Sequence, residues 1–369
     1  MKIAMLAYNL RPRGGVVHAV HLSKALKRRG GDVTLVSLRR KGLAEDHAKF
    51  FGNMGFPVLY IDFDWHEDAK VRLKSMTEAL VANVPHDFDI YHAQDCVCDT
   101  ALQLLMAGGA LPGPTVRTVH HVQGFQDRFM DRCEKNALMG DTEKITVSKY
   151  WQEELRSRFR LESTVIYNGI DAARFSGAKS TREPYILFVG GMESRKGLEF
   201  AIEALETMVS KGRELRLIAI ARPGFLRTES GPWFDHLIER CGLAGKVDIK
   251  ELVTDVELVD LYSRASVFLL PTRMEGWGLA IMEAMASGCP VVSSPVGGVT
   301  ELISDEENGL LVPVGDVAGI SKAIERLLDD GEFRDMLCAH AIETIKKYTW
   351  ESAAEKTMAL YGRVISKRG

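Results

Sequence analysis

The sequence lacks the marks of a secreted, a membrane-spanning or a zinc-stabilised protein. Its six cysteines are scattered over 369 residues, with no CxxC pair and no Cys/His spacing of a zinc finger. No run of about 18 apolar residues, the length that a membrane-spanning helix needs, occurs in it. The first residues combine one lysine with a short apolar run and no small-residue cleavage site, so we expect a strand rather than a signal peptide. These absences favour a cytoplasmic protein with reduced thiols.

An excess of positive charge is also missing. The net charge is -3, so nucleic acid is not an expected partner. Basic residues cluster only locally, within 24–29 and 156–160. Such clusters are usually solvated helix faces, and a patch for peripheral contact with the inner membrane face is the alternative. The composition is that of a globular protein, and its length favours two domains.

Short apolar runs alternate with helical patterns from end to end. Strands are predicted at 2–8, 32–38, 57–61, 88–93, 115–120 and 144–148, and in the second half at 185–191, 215–220, 247–250, 266–272, 290–294 and 309–314. Ser148 is the expected N-cap of a helix over 149–159. Two successive series of this kind predict an α/β protein with two Rossmann-like, doubly wound parallel sheets.

A polar, proline-terminated segment at 176–184 is the best candidate for the linker between the two domains. We therefore expect an N-terminal domain over 1–175 and a C-terminal domain over 176–350, facing each other across a cleft. Ligands of open parallel sheets bind beyond the carboxyl ends of the strands, so the cleft is the expected site.

The segment EGWGLAIMEAMASGCPVV, residues 275–292, carries the strongest functional pattern. Gly276 and Gly278 let a ligand approach the backbone, and a helix beginning near Gly278 would turn free N–H groups toward an anion such as a diphosphate. Glu283 lies about 7.5 Å further along the helix axis, where its carboxylate can accept hydrogen bonds from a ribose diol. Glu275 can hold sugar hydroxyls on the other side of the phosphates. The pattern therefore favours a nucleotide-sugar site.

This segment resembles the E-x7-E signature of GT4-family retaining glycosyltransferases with the GT-B fold. Further matches follow in order: PRGGVVHAVHLSKALKRRGGDVTLVSL, TVHH, YNGIDAARF and SPVGGVTELI. The resemblance implies transfer of a hexosyl group from a UDP- or GDP-sugar, without metal or other cofactor, through a front-face, oxocarbenium-like substitution. It implies a small-molecule, glycan or lipid-linked acceptor. It also implies that the final helix, 351–369, packs back on the first domain.

The resemblance also implies roles for individual residues. The catalytic set is His120, Lys196 and Glu275, with Lys196 neutralising the donor diphosphate and His120 contacting the transferred sugar; His121 is the alternative to His120. The donor-binding set is Gly14, Gly15, Arg195, Glu275, Gly276, Trp277, Gly278, Glu283 and Glu301. Packing is an alternative role for Trp277.

One departure from the family pattern stands out. Gly191 occupies the place of a phosphate-binding arginine, and Arg195 or Arg273 is expected to replace it. If neither does, we expect either a weaker affinity for the donor than is typical of the family or a loss of activity; the alternative function is then a non-catalytic nucleotide-sugar binder. A nicotinamide oxidoreductase is disfavoured because the first βα loop lacks G-x-G-x-x-G. Acceptor selection is assigned to loops at 40–57, 62–70 and 122–136, which carry no diagnostic residues.

Overall fold

The structure, a computed structural model, describes residues 1–43, 51–122, 128–176, 181–222 and 230–367. Its internal contacts divide the chain into two units. The first comprises Met1–Gly169 and Tyr348–Gly369, and the second comprises Ile170–Lys347. The expected linker residues 177–180 lie outside the described residues, as do 44–50 and 123–127 of the expected acceptor loops.

The first unit is built on a seven-stranded parallel sheet. Its strands are β1 (Lys2–Ala7), β2 (Asp32–Arg40), β3 (Val58–Phe63), β4 (Ile90–Ala93), β5 (Thr115–Val119), β6 (Glu143–Thr146) and β7 (Thr164–Val165). They lie in the order β3-β2-β1-β4-β5-β6-β7. The direction of strand addition reverses between β1 and β4. In β1, five of six residues are buried, as expected for a strand covered on both faces.

Helices connect these strands. They are α1 (Gly14–Arg28), α2 (Ala69–Asn83), α3 (Cys96–Ala107), α4 (Arg128–Leu138) and α5 (Lys149–Phe159). The predicted N-cap of α5 is confirmed, because the Ser148 hydroxyl accepts a hydrogen bond from the Trp151 N–H at 3.3 Å. The prediction that 122–136 is a loop was wrong for residues 128–136, which lie in α4. The expected loop at 62–70 likewise begins in β3 and ends in α2.

The second unit has a six-stranded parallel sheet. Its strands are β8 (Glu183–Gly191), β9 (Arg216–Arg222), β10 (Val247–Lys250), β11 (Ala265–Leu270), β12 (Val291–Ser293) and β13 (Leu310–Leu311). Their order is β10-β9-β8-β11-β12-β13, so here the direction reverses between β8 and β11. The prediction of two doubly wound parallel sheets is confirmed.

The helices of the second unit are α6 (Ala172–Phe175), α7 (Leu198–Ser210), α8 (Ser230–Arg240), α9 (Asp255–Arg264), α10 (Leu279–Ala286), α11 (Val299–Leu302), α12 (Val317–Asp329) and α13 (Gly331–Ile345). The short helix α6 packs against α9 and α10, which explains why the contacts place residues after Gly169 in this unit. A last helix, α14 (Trp350–Ser366), packs against α1 of the first unit. Of the helices in the described ranges, none is both long and apolar enough to cross a bilayer.

Candidate active site

In the second unit, the candidate residues gather where the strand order reverses. Lys196 follows β8 and Glu275 follows β11, and these two strands are neighbours in the sheet. The strands are parallel, so both loops leave the same, carboxyl-terminal edge. This is the place where open α/β sheets bind ligands.

The loops after β8 and β11 are tied together by their backbones. The carbonyl oxygen of Arg195 accepts hydrogen bonds from the Arg273 N–H at 2.7 Å and the Thr272 hydroxyl at 2.8 Å. Gly197 has φ +73°, and a Cβ added to it would lie 2.1 Å from the carbonyl oxygen of Pro271. Only a glycine allows this approach, so the position of Lys196 is fixed by the adjoining backbone.

Lys196 and Glu275 form an ion pair within this framework. Lys196 Nζ lies 2.5 Å from Glu275 Oε2, and the two side chains are only 13% and 12% exposed. The other carboxylate oxygen, Oε1, accepts a hydrogen bond from the Gly276 N–H at 3.1 Å. Residues separated by 79 positions in the sequence thus form one charged centre.

The ionisation of this pair reflects burial and mutual attraction. Burial lowers the pKa of Lys196, and the adjacent Glu275 opposes that effect. Burial acts to raise the pKa of Glu275, but Lys196 and Arg195 outweigh it, so the pKa is lowered. Glu275 is therefore a carboxylate at neutral pH.

The Glu275–Trp277 backbone rests on the glycine turn after β12. A Cβ at Gly297, which has φ +54°, would lie 2.0 Å from the Glu275 carbonyl oxygen, and one at Gly298 would lie 2.4 Å from that of Gly276. Trp277 is only 1% exposed and donates its indole N–H to Met282 Sδ at 3.0 Å. The indole therefore packs inside the second unit, which fits the alternative role of packing. Its ring has no exposed face on which a donor could stack, so this geometry does not support placing Trp277 in the donor-binding set.

The helix predicted after the glycines begins as expected. Gly278, at φ +101°, is the N-cap of α10 and provides no side-chain cap. Glu283 lies in this helix and accepts a hydrogen bond from the Tyr262 hydroxyl at 2.9 Å. Burial raises the pKa of Glu283 to about 7, although the Tyr262 hydrogen bond opposes the rise. Glu301, in the short helix α11, is half-buried.

The two arginines expected to replace the missing one differ in their surroundings. The Arg273 guanidinium is paired with Glu199, donates to the Ser194 carbonyl oxygen at 2.5 Å and lies 4.2 Å from the centre of the Phe200 ring. The Arg195 side chain is 22% exposed, and its Nη2 atom lies 3.8 Å from Glu193 Oε2. Arg273 is thus committed to the start of α7, whereas Arg195 belongs to the charged centre.

In the first unit, the candidate residues follow β1, at the reversal of the strand order, and β5, one strand beyond it. Gly14 and Gly15 begin α1, after β1, and His120 follows β5. A Cβ at Gly15 would touch the His120 ring at 3.4 Å, whereas one at Gly14 would meet nothing within 4 Å. His120 Nε2 lies 3.2 Å from Gln94 Oε1, which follows β4. Three loops therefore converge on His120.

His120 is held as a neutral imidazole. Burial lowers its pKa well below the ordinary value, and the neighbouring His18 lowers it further. The His18 and His120 rings meet edge to face, with centroids 5.0 Å apart. His121 instead lies near Trp151, with ring centroids 6.5 Å apart. The structure thus distinguishes the two histidines by their neighbours.

Sequence reasoning missed three members of these sites. Gln94 directly follows a buried strand, and this position could have suggested it. Tyr262 lies on α9 and gives no signal in the sequence of its contact with Glu283. Glu193 is only two residues from Gly191, but its carboxylate position depends on the turn between them. Within the described ranges, no group of three or more His, Cys, Asp or Glu residues could hold a metal ion.

Comparisons with known proteins agree with this architecture over most of the chain. A family model described as "Glycosyl transferases group 1" matches residues 169–344, and one described as "Glycosyltransferase Family 4" matches residues 12–174. An uncharacterized glycosyltransferase of Methanocaldococcus jannaschii is 28% identical over 98% of this chain and 98% of its own length.

Solved structures extend the likeness to the fold. Sucrose-phosphate synthase from Thermosynechococcus elongatus matches with a TM-score of 0.84 at 21% identity, covering 100% of both chains. HepE of Anabaena, solved in complex with UDP-glucose, matches with a TM-score of 0.80 at 18% identity, covering 98% of this chain and 100% of that one. The likeness at these identities is one of fold.

Proposed function

The chain belongs to the family 4 glycosyltransferases and has the GT-B fold, and from this premise we propose that it moves a hexosyl group from a nucleotide-diphosphate sugar to an acceptor hydroxyl with retention of configuration. The observation that carries the proposal is the buried ion pair of Lys196 and Glu275 where the strand order of the second unit reverses. A buried cation there suits a leaving diphosphate, and a buried carboxylate suits sugar hydroxyls.

In the proposed reaction, the bond between the sugar C1 and the diphosphate oxygen breaks as the acceptor oxygen bonds to C1 on the same face. The acceptor proton passes to the departing phosphate oxygen, so the charges balance. Lys196 stabilises the negative charge that develops on the diphosphate, which is greatest in the transition state. Because this cation stabilises the leaving group, we propose that the reaction needs no metal.

Other residues bind the donor in this proposal. The free N–H groups at the start of α10 face the diphosphate, and Glu283 holds the ribose. Gly14 and Gly15 leave room near the phosphates and acceptor, and His120 hydrogen-bonds to the transferred sugar. Glu301 contributes from α11. HepE, of the same fold, was solved with UDP-glucose, which supports placing UDP-sugars first among candidate donors.

A screen of donors tests this function directly. Thermal melting with UDP-, GDP- and ADP-sugars should reveal one nucleotide that stabilises the protein, because a ligand that binds only the folded state raises the melting temperature. Transfer to water or to an acceptor panel should then release that nucleoside diphosphate, also after treatment with EDTA. Absence of stabilisation by every nucleotide sugar at millimolar concentration would contradict the proposal.

The second candidate function, a non-catalytic nucleotide-sugar binder, is favoured by Gly191 at the place of the family arginine. It predicts donor binding in calorimetry without nucleotide release from any donor, alone or with acceptors. Slow hydrolysis of the donor by the wild-type protein, absent from the Glu275→Ala variant, would exclude this alternative.

A further inference from the structure

At the end of β8, Gly191 departs from the family pattern, and Glu193 and Arg195 lie close to it. Gly191 has no side chain, and a Cβ placed on it would lie 1.7 Å from Glu193 Oε2. The carboxylate of Glu193 therefore occupies the space into which any side chain at position 191 would extend. A negatively charged group thus lies where the side chain of the family arginine would begin.

Glu193 is associated with Arg195 through charge. The separation of 3.8 Å between Arg195 Nη2 and Glu193 Oε2 is within ion-pair range but longer than a hydrogen bond. Both side chains are largely buried, at 16% exposure for Glu193 and 22% for Arg195, so water screens the attraction only in part. Such a contact does not orient a guanidinium closely, and its main effect is on the local charge.

Among the described residues, the four side chains of Glu193, Arg195, Lys196 and Glu275 carry no net formal charge. Two cations, Arg195 and Lys196, stand against two carboxylates, Glu193 and Glu275. A diphosphate brings at least two negative charges, so one carboxylate opposes its entry. Glu275 is held by Lys196 at 2.5 Å and by the Gly276 N–H at 3.1 Å. The other carboxylate is that of Glu193, and it lies beside Arg195, the cation that is not paired with Glu275.

Resting on the proposed function, we propose that Glu193 is a built-in counter-anion of Arg195 that competes with the donor diphosphate. Arg195 exchanges Glu193 for the phosphates when the donor binds and returns to it when the nucleoside diphosphate leaves. Glu193 thereby weakens binding of the diphosphate product and favours its release. Gly191 leaves open the space that this carboxylate occupies, and a side chain at position 191 would have to displace it.

The test is titration calorimetry with UDP, GDP and ADP on the full chain at low salt. Glu193→Gln keeps the shape and removes the charge, and it should tighten nucleoside diphosphate binding about five- to tenfold, the size of one partly screened charge at several ångströms. The gain should shrink in 0.5 M NaCl. Glu193→Asp keeps the charge and should bind like wild type, and Arg195→Gln should bind more weakly.

Glu214→Gln is the matched control. It removes the same charge from an exposed residue just before β9, at the opposite edge of the same sheet, and should leave affinity unchanged. Wild-type binding without tightening in Glu193→Gln would overturn the inference and leave the proposed function intact. If the folded wild type, checked by its melting curve, binds none of the three nucleotides, both proposals fail together.

Discussion

In the first unit, the loops after β1, β4 and β5 bring together glycine, glutamine and histidine, whereas in the second the loops after β8 and β11 bring together two cations and two carboxylates. The second group lies where the strand order reverses, and the first extends from that reversal, between β1 and β4, to the next strand, β5. Burial has different outcomes in the two groups. It keeps His120 neutral, whereas Glu275 stays ionised in spite of burial because Lys196 lies 2.5 Å away.

This difference separates what the fold supplies from what the side chains supply. Parallel strands that reverse their order leave a concave edge in both units, and the backbone alone determines its place. The chemistry at that edge depends on a few loop residues. Charged groups suit a diphosphate, and neutral hydrogen-bonding groups suit hydroxyls. In the proposed function, the second unit therefore stabilises charge and the first recognises hydroxyl groups.

The largest effect is expected from Lys196→Ala, which removes a cation from the charged group of the second unit. Turnover of the nucleotide sugar should fall by about 10² to 10³, because the variant loses the cation that we propose stabilises the leaving diphosphate. Lys211→Ala, which removes an exposed lysine paired with Glu325 at 2.8 Å, should change turnover by less than about twofold. Steady-state release of nucleoside diphosphate measures both. Equal activities in the two variants would contradict the assigned role of Lys196.

His120→Ala tests the neutral group of the first unit. We expect kcat/KM to fall by about tenfold to a hundredfold, because the variant loses a hydrogen bond of moderate strength. His121→Ala, next in sequence but beside Trp151, should lose less than threefold. Since the pKa of His120 is lowered well below 6.5 by burial, the imidazole stays neutral from pH 6 to 9. The ratio of wild-type to His120→Asn activity should thus be constant over that range, and a ratio that titrates near pH 6.5 would refute a neutral role.

Much of this arrangement follows from the sequence, and the exceptions have physical causes. The apolar runs predict the strands because both faces of a parallel sheet are buried, and Ser148 predicts the start of α5. Helix α4 was missed because its buried face includes the charged Glu134, which pairs with the buried Arg117. Its pattern therefore resembles that of a polar loop.

The charged centre was predicted only in part. The E-x7-E spacing is local and places Glu275 before α10 and Glu283 within it. The contact of Glu275 with Lys196 requires β8 and β11 to be neighbours, which no local pattern specifies. The position of the Glu193 carboxylate over Gly191 depends on backbone angles in a turn of three residues. Resemblance to a family cannot supply it, because the family pattern has an arginine there.

A smaller effect is expected from Gly297→Ala, which tests whether the backbone itself holds the charged loop. The new Cβ would collide with the Glu275 carbonyl oxygen, and φ at this position is +54°. We expect a loss of about 2 to 3 kcal/mol in unfolding free energy together with reduced turnover. Gly315→Ala is the control, because its φ is +80° but the nearest atom, in Phe200, is 3.5 Å away, and it should cost about 1 kcal/mol. Equal losses would mean that backbone strain, and not the collision, sets the cost.

The smallest effect is a pH dependence that belongs to the second unit. Burial raises the pKa of Glu283 to about 7, above its unfolded value of about 4.5, so the folded state binds the proton more tightly. The associated stability is fully present below about pH 4.5 and is lost as pH rises through 7, amounting to about 1 kcal/mol between pH 6 and 8. Glu283→Gln should abolish this part of the difference between melts at pH 6 and 8. Tyr262→Phe removes the hydrogen bond that opposes the rise, so it should enlarge the difference. If the wild type and Glu283→Gln respond to pH identically, Glu283 is ionised throughout, and the second unit contains no neutral carboxyl group at this position.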